Sequence, residues 1–136
     1  MANKPTLLDL IWGLPQHIVA GFLFLALCIG KKIDSIERLD NGVCVIRIRS
    51  FHGGVSLGWF VFVGVMAMPE VIMHESGHSC QSMTLGPLYL IIIGLPSFLF
   101  ATIATIQGQA ARRWYYRMYT EAWADKLGGV TRGIYL

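Results

Sequence analysis

Hydrophobic positions in this chain gather into three long stretches divided by short polar ones, and the stretches differ in period. The first runs from Leu10 to Gly30 and is closed by Lys31 and Lys32. At 1.5 Å per residue it is long enough to cross a bilayer core of about 30 Å, so it predicts a membrane helix. A cleaved signal peptide is the competing reading, and it requires a basic leader and a small-residue cleavage site. Here Lys4 is balanced by Asp9 and the run ends in Cys28-Ile29-Gly30-Lys31-Lys32, which favours a retained helix.

Residues 31–42 are polar and read as a loop ending in the turn signal Asp40-Asn41-Gly42. Val43–Arg49 is β-branched, with alternation only at its end, and Val55–Val63 is aromatic and branched. With His52-Gly53-Gly54 between them they predict a small β-hairpin. Continued to Met68, the second segment also fits a short membrane helix, whose fourteen residues (55 to 68) would span about 21 Å; period does not separate the two. Pro69 suits a first helical turn and Leu85-Gly86-Pro87 a stop, so a helix is expected over 69–85. Leu88 to Ile106 is again apolar but interrupted by Gly94-Leu95-Pro96-Ser97, and a last helix is expected from Arg112 to Leu127, before Gly128-Gly129. With 136 residues and no internal repeat, a single domain is expected over 1–136.

Composition sharpens this picture. Hydrophobic residues make up 54% and charged residues 14%, against about 25% charge in soluble domains. Mean hydropathy is +0.55. A small chain has proportionally more surface to cover with polar groups, so the excess apolar surface points to lipid, or otherwise to an intimate oligomer. The predicted class is therefore a mostly α membrane protein with a small β-hairpin. Net charge is +3, with ten of the eleven basic residues after position 30 and interspersed with acids, which argues against a nucleic-acid partner. Cys28, Cys44 and Cys80 form no CxxC pair and an odd number, so a disulfide framework is not expected.

The chemistry lies in His74-Glu75-Ser76-Gly77-His78. On a helix, positions four apart share a face, so His74 and His78 can hold one cation. Glu75, rotated by one residue, addresses a water without taking a ligand position: two imidazoles hold Zn²⁺ and the glutamate accepts the proton as water attacks a carbonyl. The bland alternative is two helix histidines satisfied by polar neighbours and a surface glutamate. That is costly in a helix set against lipid or core. A catalytic zinc site needs a third protein ligand. Glu37 and Asp40 fall in the polar loop, and Glu70 precedes His74 by one turn and only flanks the site. Glu121 and Asp125, four apart on the last helix, suit a metal ligand and a carboxylate that takes the N–H of a ligating histidine. The alternative there is an acid pair on a helix surface beside Lys126. Cys80, two residues beyond His78, points elsewhere and reads as packing.

His74-Glu75-x-x-His78 followed by Glu121-x-x-Ala124-Asp125 resembles the gluzincin membrane proteases of the CAAX-prenyl-protease and HtpX type, whose zinc is held by two helix histidines and the glutamate of an E-x-x-A-D segment. That resemblance implies a zincin-like active-site helix plus a C-terminal ExxAD helix. The stretches 54–58, 74–82, 85–90, 94–97 and 120–128 also resemble a group of small bacterial membrane proteins, which supplies no substrate. The chain is far smaller than the larger membrane gluzincins. Its counterpart of their transition-state residue is open among His52, Tyr89, Tyr115, Tyr116 and Tyr119.

For Glu121 to meet His74 and His78, their helices must share one side or depth of the membrane. A plain span over 88–106 would put them on opposite sides and leave only a site sunk within the bilayer. The charges favour the other way out, in which the break at Gly94–Ser97 folds the run into a re-entrant hairpin of two half-helices, each about 15 Å long. With one span at 10–30, ten of eleven basic residues then fall on the cytoplasmic side of what is expected to be a bacterial inner membrane. The expected function is a membrane-embedded zinc metallopeptidase acting on a peptide or protein substrate at the membrane, with Val55–Val63 as a possible edge strand for it. The alternatives are a non-catalytic protein stapled by structural zinc, and a transporter or channel subunit, which would require oligomerisation.

Overall fold

The computed structural model describes residues 4–132. Two helices, α1 (Leu7–Trp12) and α2 (Leu14–Ile29), precede strands β1 (Ile33–Arg38), β2 (Cys44–Ile48), β3 (Gly54–Leu57) and β4 (Phe60–Gly64). Helix α3 (Pro69–Leu85) follows, then a 3₁₀ turn, a π-helical stretch over Leu90–Gly94, and α4 (Leu95–Gln107). A second 3₁₀ turn, Gly108–Ala111, leads into α5 (Arg112–Tyr115) and α6 (Tyr119–Gly128).

The predicted hairpin is a four-stranded mixed sheet of order β1-β2-β4-β3. The stretch read as a polar loop, 31–42, supplies β1, and Asp40-Asn41-Gly42 turns β1 antiparallel onto β2. β2 pairs with the second half of the Val55–Val63 segment, but parallel to it, as β4; that segment is itself folded into the tight hairpin β3–β4, turning at Gly58-Trp59. Burial explains the misreading. Val43, Val45, Val61 and Val63 pack on one face against Ile72 of α3, while Ile46, Ile48, Phe62 and Leu57 pack on the other against Ala20 of α2. Strands buried on both faces have no solvent side to mark with polar residues, so alternation disappears. The layers run α2, sheet, α3, α6, and β3 forms one edge of the sheet.

The predicted single helix over 10–30 is broken at Gly13. What remains, α2, has 16 residues, about 24 Å at the α-helical rise. The predicted break at Gly94–Ser97 is absent, because the π-helical stretch runs on into α4 and Pro96 sits in that helix's first turn, where no intrahelical N–H is lost. One helical run, Leu90–Tyr115, is long and apolar enough to cross a membrane by length and composition. It does not run straight. Gly108, at φ 71° and ψ −149°, adopts a backbone conformation open essentially to glycine alone. Ser97 and Tyr115, 18 positions apart (97 to 115), line one cleft; in a straight helix those residues would stand about 27 Å apart. From Ser97 the chain goes out along α4 for about 15 Å and returns through the 3₁₀ turn and α5 over about 14 Å. The chain thus reverses at Gly108, beyond the 88–106 stretch that was expected to fold into two half-helices. The last helix, expected over 112–127, is likewise divided, by a turn at Tyr116–Met118.

Candidate metal centre

Helix α3 begins with Pro69 at its first position and Glu70 in its first turn, where the exposed N–H groups favour a negative charge. It ends at Gly86, whose φ of 56° precedes Pro87. Its polar residues are not on a wet face: His74, Glu75, His78, Ser79, Gln81 and Ser82 are all buried, between the sheet on one side and α6 on the other. Each therefore needs a partner from outside the helix or from its own next turn. The close approach of α6 depends on Gly77, since a Cβ there would lie 1.9 Å from the Ala124 carbonyl oxygen.

That approach brings His74, His78 and Glu121 together, one ligand atom from each lying within 4.8 Å of the others. Glu121 Oε2 is 3.0 Å from His74 Nε2 and 3.2 Å from His78 Nε2. Two donors at about 2.0–2.1 Å from one tetrahedral zinc stand about 3.4 Å apart, so these spacings suit a shared ion with little adjustment. Each imidazole is held from behind. His74 Nδ1 donates to Asp125 Oδ1 at 2.6 Å and His78 Nδ1 donates to Gln81 Oε1 at 2.7 Å. The Gln81 amide is itself oriented, because its Nε2 donates to the Thr120 carbonyl at 2.8 Å. With both Nδ1 atoms carrying the hydrogen, a neutral imidazole presents only a lone pair at Nε2. Two lone pairs then face a carboxylate oxygen with no hydrogen between them, and the arrangement is satisfied by a cation or by two imidazolium ions side by side. The donor set fits a divalent metal.

Without metal, the electrostatics take the second course. Burial disfavours the imidazolium of His74, but Asp125, Glu121 and the charge of Glu75 outweigh it and push the group up to about 9. His78 is raised as well: its burial is outweighed by Glu121 and Glu75. Glu121 moves down: its own burial is overcome by the two histidines and by Ser97, which donates to Oε1.

Glu75 lies beside this cluster and outside it, turned toward the sheet. Ser56 Oγ of β3 is 2.7 Å from both its Oε2 and its backbone carbonyl. Gly54, on the same strand, leaves the space the carboxylate occupies; a Cβ there would fall 2.3 Å from Oε1. Asp125 is gripped in turn by Arg132, whose Nε donates to Oδ2 at 2.7 Å and whose guanidinium stacks 3.7 Å over the Tyr116 ring. Cys80 lines a separate cleft with Leu39, Met73 and Leu127, away from the histidines.

Of the five residues left open for a transition-state role, Tyr89 is committed to the Ser56 carbonyl and Tyr119 to the Ile92 carbonyl. Tyr116 lies edge-on to His74 beneath Arg132, and His52 lines only the wider part of the cleft. Tyr115 borders the cleft on both sides of Glu75. The sequence reading missed Gln81, Ser56, Ser97 and Arg132. Gln81, three residues after His78 on the same helical face, carried a usable signal; the others are brought in by chain segments whose path no local pattern encodes. No protein-family model, curated protein or solved structure matches this chain.

Proposed function

We propose that the protein is a membrane-associated, gluzincin-like zinc metallopeptidase that hydrolyses peptide bonds at the membrane surface. The observation that carries this reading is the convergence of His74, His78 and Glu121 on one point, with Glu75 beside it and an open cleft in front. A structural zinc staple would close its fourth position with protein. Here the cluster has three members among the described residues, and His74 and His78 both line the cleft.

When bound, zinc would acidify a water molecule and polarise a carbonyl group. Ser56 engages Glu75 Oε2 and leaves Oε1 as the open atom to take a proton and later return it to the leaving amine. Tyr115, which borders the cleft on both sides of Glu75, is the residue we assign to the developing oxyanion, a role worth about 10²–10³ in kcat where one donor is removed. β3 is an edge strand, and apart from the Ser56 carbonyl, which Tyr89 takes, its outer backbone groups are offered to an extended substrate. Association with membrane is supported by exposed apolar side chains on α2 and on the helical run, among them Phe22, Ile29, Ile91 and Phe98. Only 6% of the run's most apolar window is buried by the rest of the chain.

The test is metal content and peptide hydrolysis in two variants. Glu75→Gln should keep about one zinc per chain and lose hydrolysis by at least about 10²-fold, since an amide cannot accept the proton. Glu121→Ala should lose the metal itself. Hydrolysis surviving in Glu75→Gln would overturn the mechanism.

A further inference from the structure

Helix α3 presents a second face to a second cleft. Pro69, Ile72, Met73, Ser76 and Cys80 recur at spacings of three and four, so they stand on one side of the helix. Ser76 is two residues from both His74 and His78, about 200° of helical rotation from each, and its side looks away from the metal centre. That side forms the floor of a cleft of about 390 Å³, walled by Leu127 and Gly128 at the end of α6 and by the β1–β2 turn at Leu39.

Two properties of this cleft point to a ligand and to its chemistry. No charged side chain lines it, and the lining is mostly apolar. Met73 and Leu127, 40% and 42% exposed, carry that apolar lining out to the surface. An ion entering it would lose hydration and find no partner. The floor nevertheless holds a polar atom with nothing to bond. Ser76 is 7% exposed, and its Oγ has no hydrogen-bond partner. A helical serine or threonine can turn its hydroxyl back to the carbonyl four residues earlier, as Thr84 does onto Cys80 at 2.9 Å. Ser76 does not, so its buried hydroxyl is left for a group arriving from the cleft. The volume falls within the range of about 300–1,000 Å³ of small-molecule sites and is too small for a packed helix.

We propose that this cleft binds a neutral small molecule with an apolar body and one hydroxyl or carbonyl group. The polar group meets Ser76 Oγ at the floor, and the body lies between Met73 and Leu127. Such an occupant touches α3 through Ser76 and Met73 and α6 through Leu127 and Gly128, the two helices that carry His74, His78 and Glu121. Behind it the helices meet closely, since a Cβ at Gly128 would lie 2.0 Å from the Met73 carbonyl oxygen. A molecule bridging them favours the arrangement in which the three ligands converge, so its binding and that of the metal reinforce each other. The binding site stands without the peptidase reading; its coupling rests on the metal centre.

The experiment uses full-length protein carrying Cys28→Ser and Cys44→Ser, reconstituted in lipid nanodiscs, so that Cys80 is the one thiol. The probes share a body and differ in the polar group: 4-phenylbutanol, butylbenzene and 4-phenylbutyrate. Binding is measured by calorimetry against empty nanodiscs and located by protection of Cys80 from N-ethylmaleimide. The alcohol should slow labelling and bind at least about tenfold tighter than the carboxylate and about fivefold tighter than the hydrocarbon. Ser76→Ala should bring alcohol and hydrocarbon to within about twofold of each other. Leu127→Trp, which fills the mouth of the cleft, should remove binding of both. Saturating alcohol should tighten zinc at least about fivefold, measured by competition with a chromophoric chelator, and should have no such effect in Leu127→Trp. Absence of binding, binding without protection of Cys80, equal binding of alcohol and carboxylate, or an alcohol preference that survives Ser76→Ala overturns the ligand assignment. Binding that leaves zinc affinity unchanged overturns the coupling. A protein that binds the alcohol as expected but takes up no zinc overturns the metal reading and supports the cleft assignment.

Discussion

At the scale of single residues, the centre is governed by what stands behind the ligands. Asp125 and Gln81 fix the two imidazoles with their Nε2 lone pairs facing inward, and Ser56 and Gly54 fix Glu75 against β3. Ser56→Ala removes the only hydroxyl on the carboxylate while leaving all metal ligands in place. We expect hydrolysis to fall by about tenfold through kcat, with KM and zinc content unchanged and Ser56→Thr restoring most of the loss. A proportional loss of metal in Ser56→Ala would show that the hydroxyl supports the ligand helix and not the base. The same cluster sets a pH dependence of stability. In the metal-free fold His74 titrates near 9, where the unfolded imidazole titrates near its ordinary 6.5. Its stabilisation is complete below the unfolded value and is lost as pH rises through the folded one. The melting temperature of metal-free protein should therefore decline between about pH 6.5 and 9. Bound metal needs neutral imidazoles, so the increment it adds to the melting temperature should grow over the same interval. A metal increment that shrinks with rising pH would contradict this assignment of His74.

At the scale of elements, legibility in the sequence follows where each signal is stored. Helix α3 was readable because its boundaries are local: Pro69 starts it and Gly86-Pro87 ends it. The i, i+4 pairing of His74 with His78, and of Glu121 with Asp125, is equally local, so four of the cluster's residues were legible. The sheet was not. Its order places β4 between β2 and β3, and burial on both faces erases the alternation that would have marked the strands. β1, half of whose residues are charged and nearly all exposed at the sheet's other edge, looks like loop for the opposite reason. The apolar run reverses at Gly108 and not at Gly94–Ser97, where the sequence carries a proline. Pro96 is harmless in a first turn, and the turning residue is Gly108. A Cβ at Gly108 meets nothing within 4 Å, so any cost of substitution there is conformational. Gly108→Val should destabilise the protein by about 1–3 kcal/mol. It should also shift Tyr115 relative to Ser97 in the cleft, lowering kcat without loss of zinc. A variant as stable as wild type would mean that the hairpin does not need this backbone conformation.

At the scale of the whole molecule, the reversal after α4 sets how the protein would sit on a membrane in the function proposed above. A single straight helix from Leu90 to Tyr115 would put α3 and α6 on opposite faces of a bilayer, and the two could then meet only inside it. The reversal at Gly108 lets both stay on one face while the tip of α4 dips about 15 Å beyond Ser97, roughly half the hydrocarbon thickness. The metal centre then lies near the surface, where water can reach it. This geometry makes opposite demands on two very exposed residues, Ile106 at 81% and Met66 at 85%. Ile106 is two residues from the reversal at Gly108 and should be covered by lipid, whereas Met66 precedes α3 on the sheet side and should remain wet. Single cysteines at these positions, in a background with Cys28, Cys44 and Cys80 replaced, can be treated with a membrane-impermeant maleimide in vesicles. Cys at 66 should label quickly from one side only, and Cys at 106 from neither side until detergent is added. A cysteine placed at Leu127, near the end of α6, should share the sidedness of position 66. Labelling of positions 66 and 127 from opposite sides would restore the straight span and remove the surface site. Rapid labelling of position 106 in intact vesicles would mean that the apolar face of α4 is covered by something other than lipid.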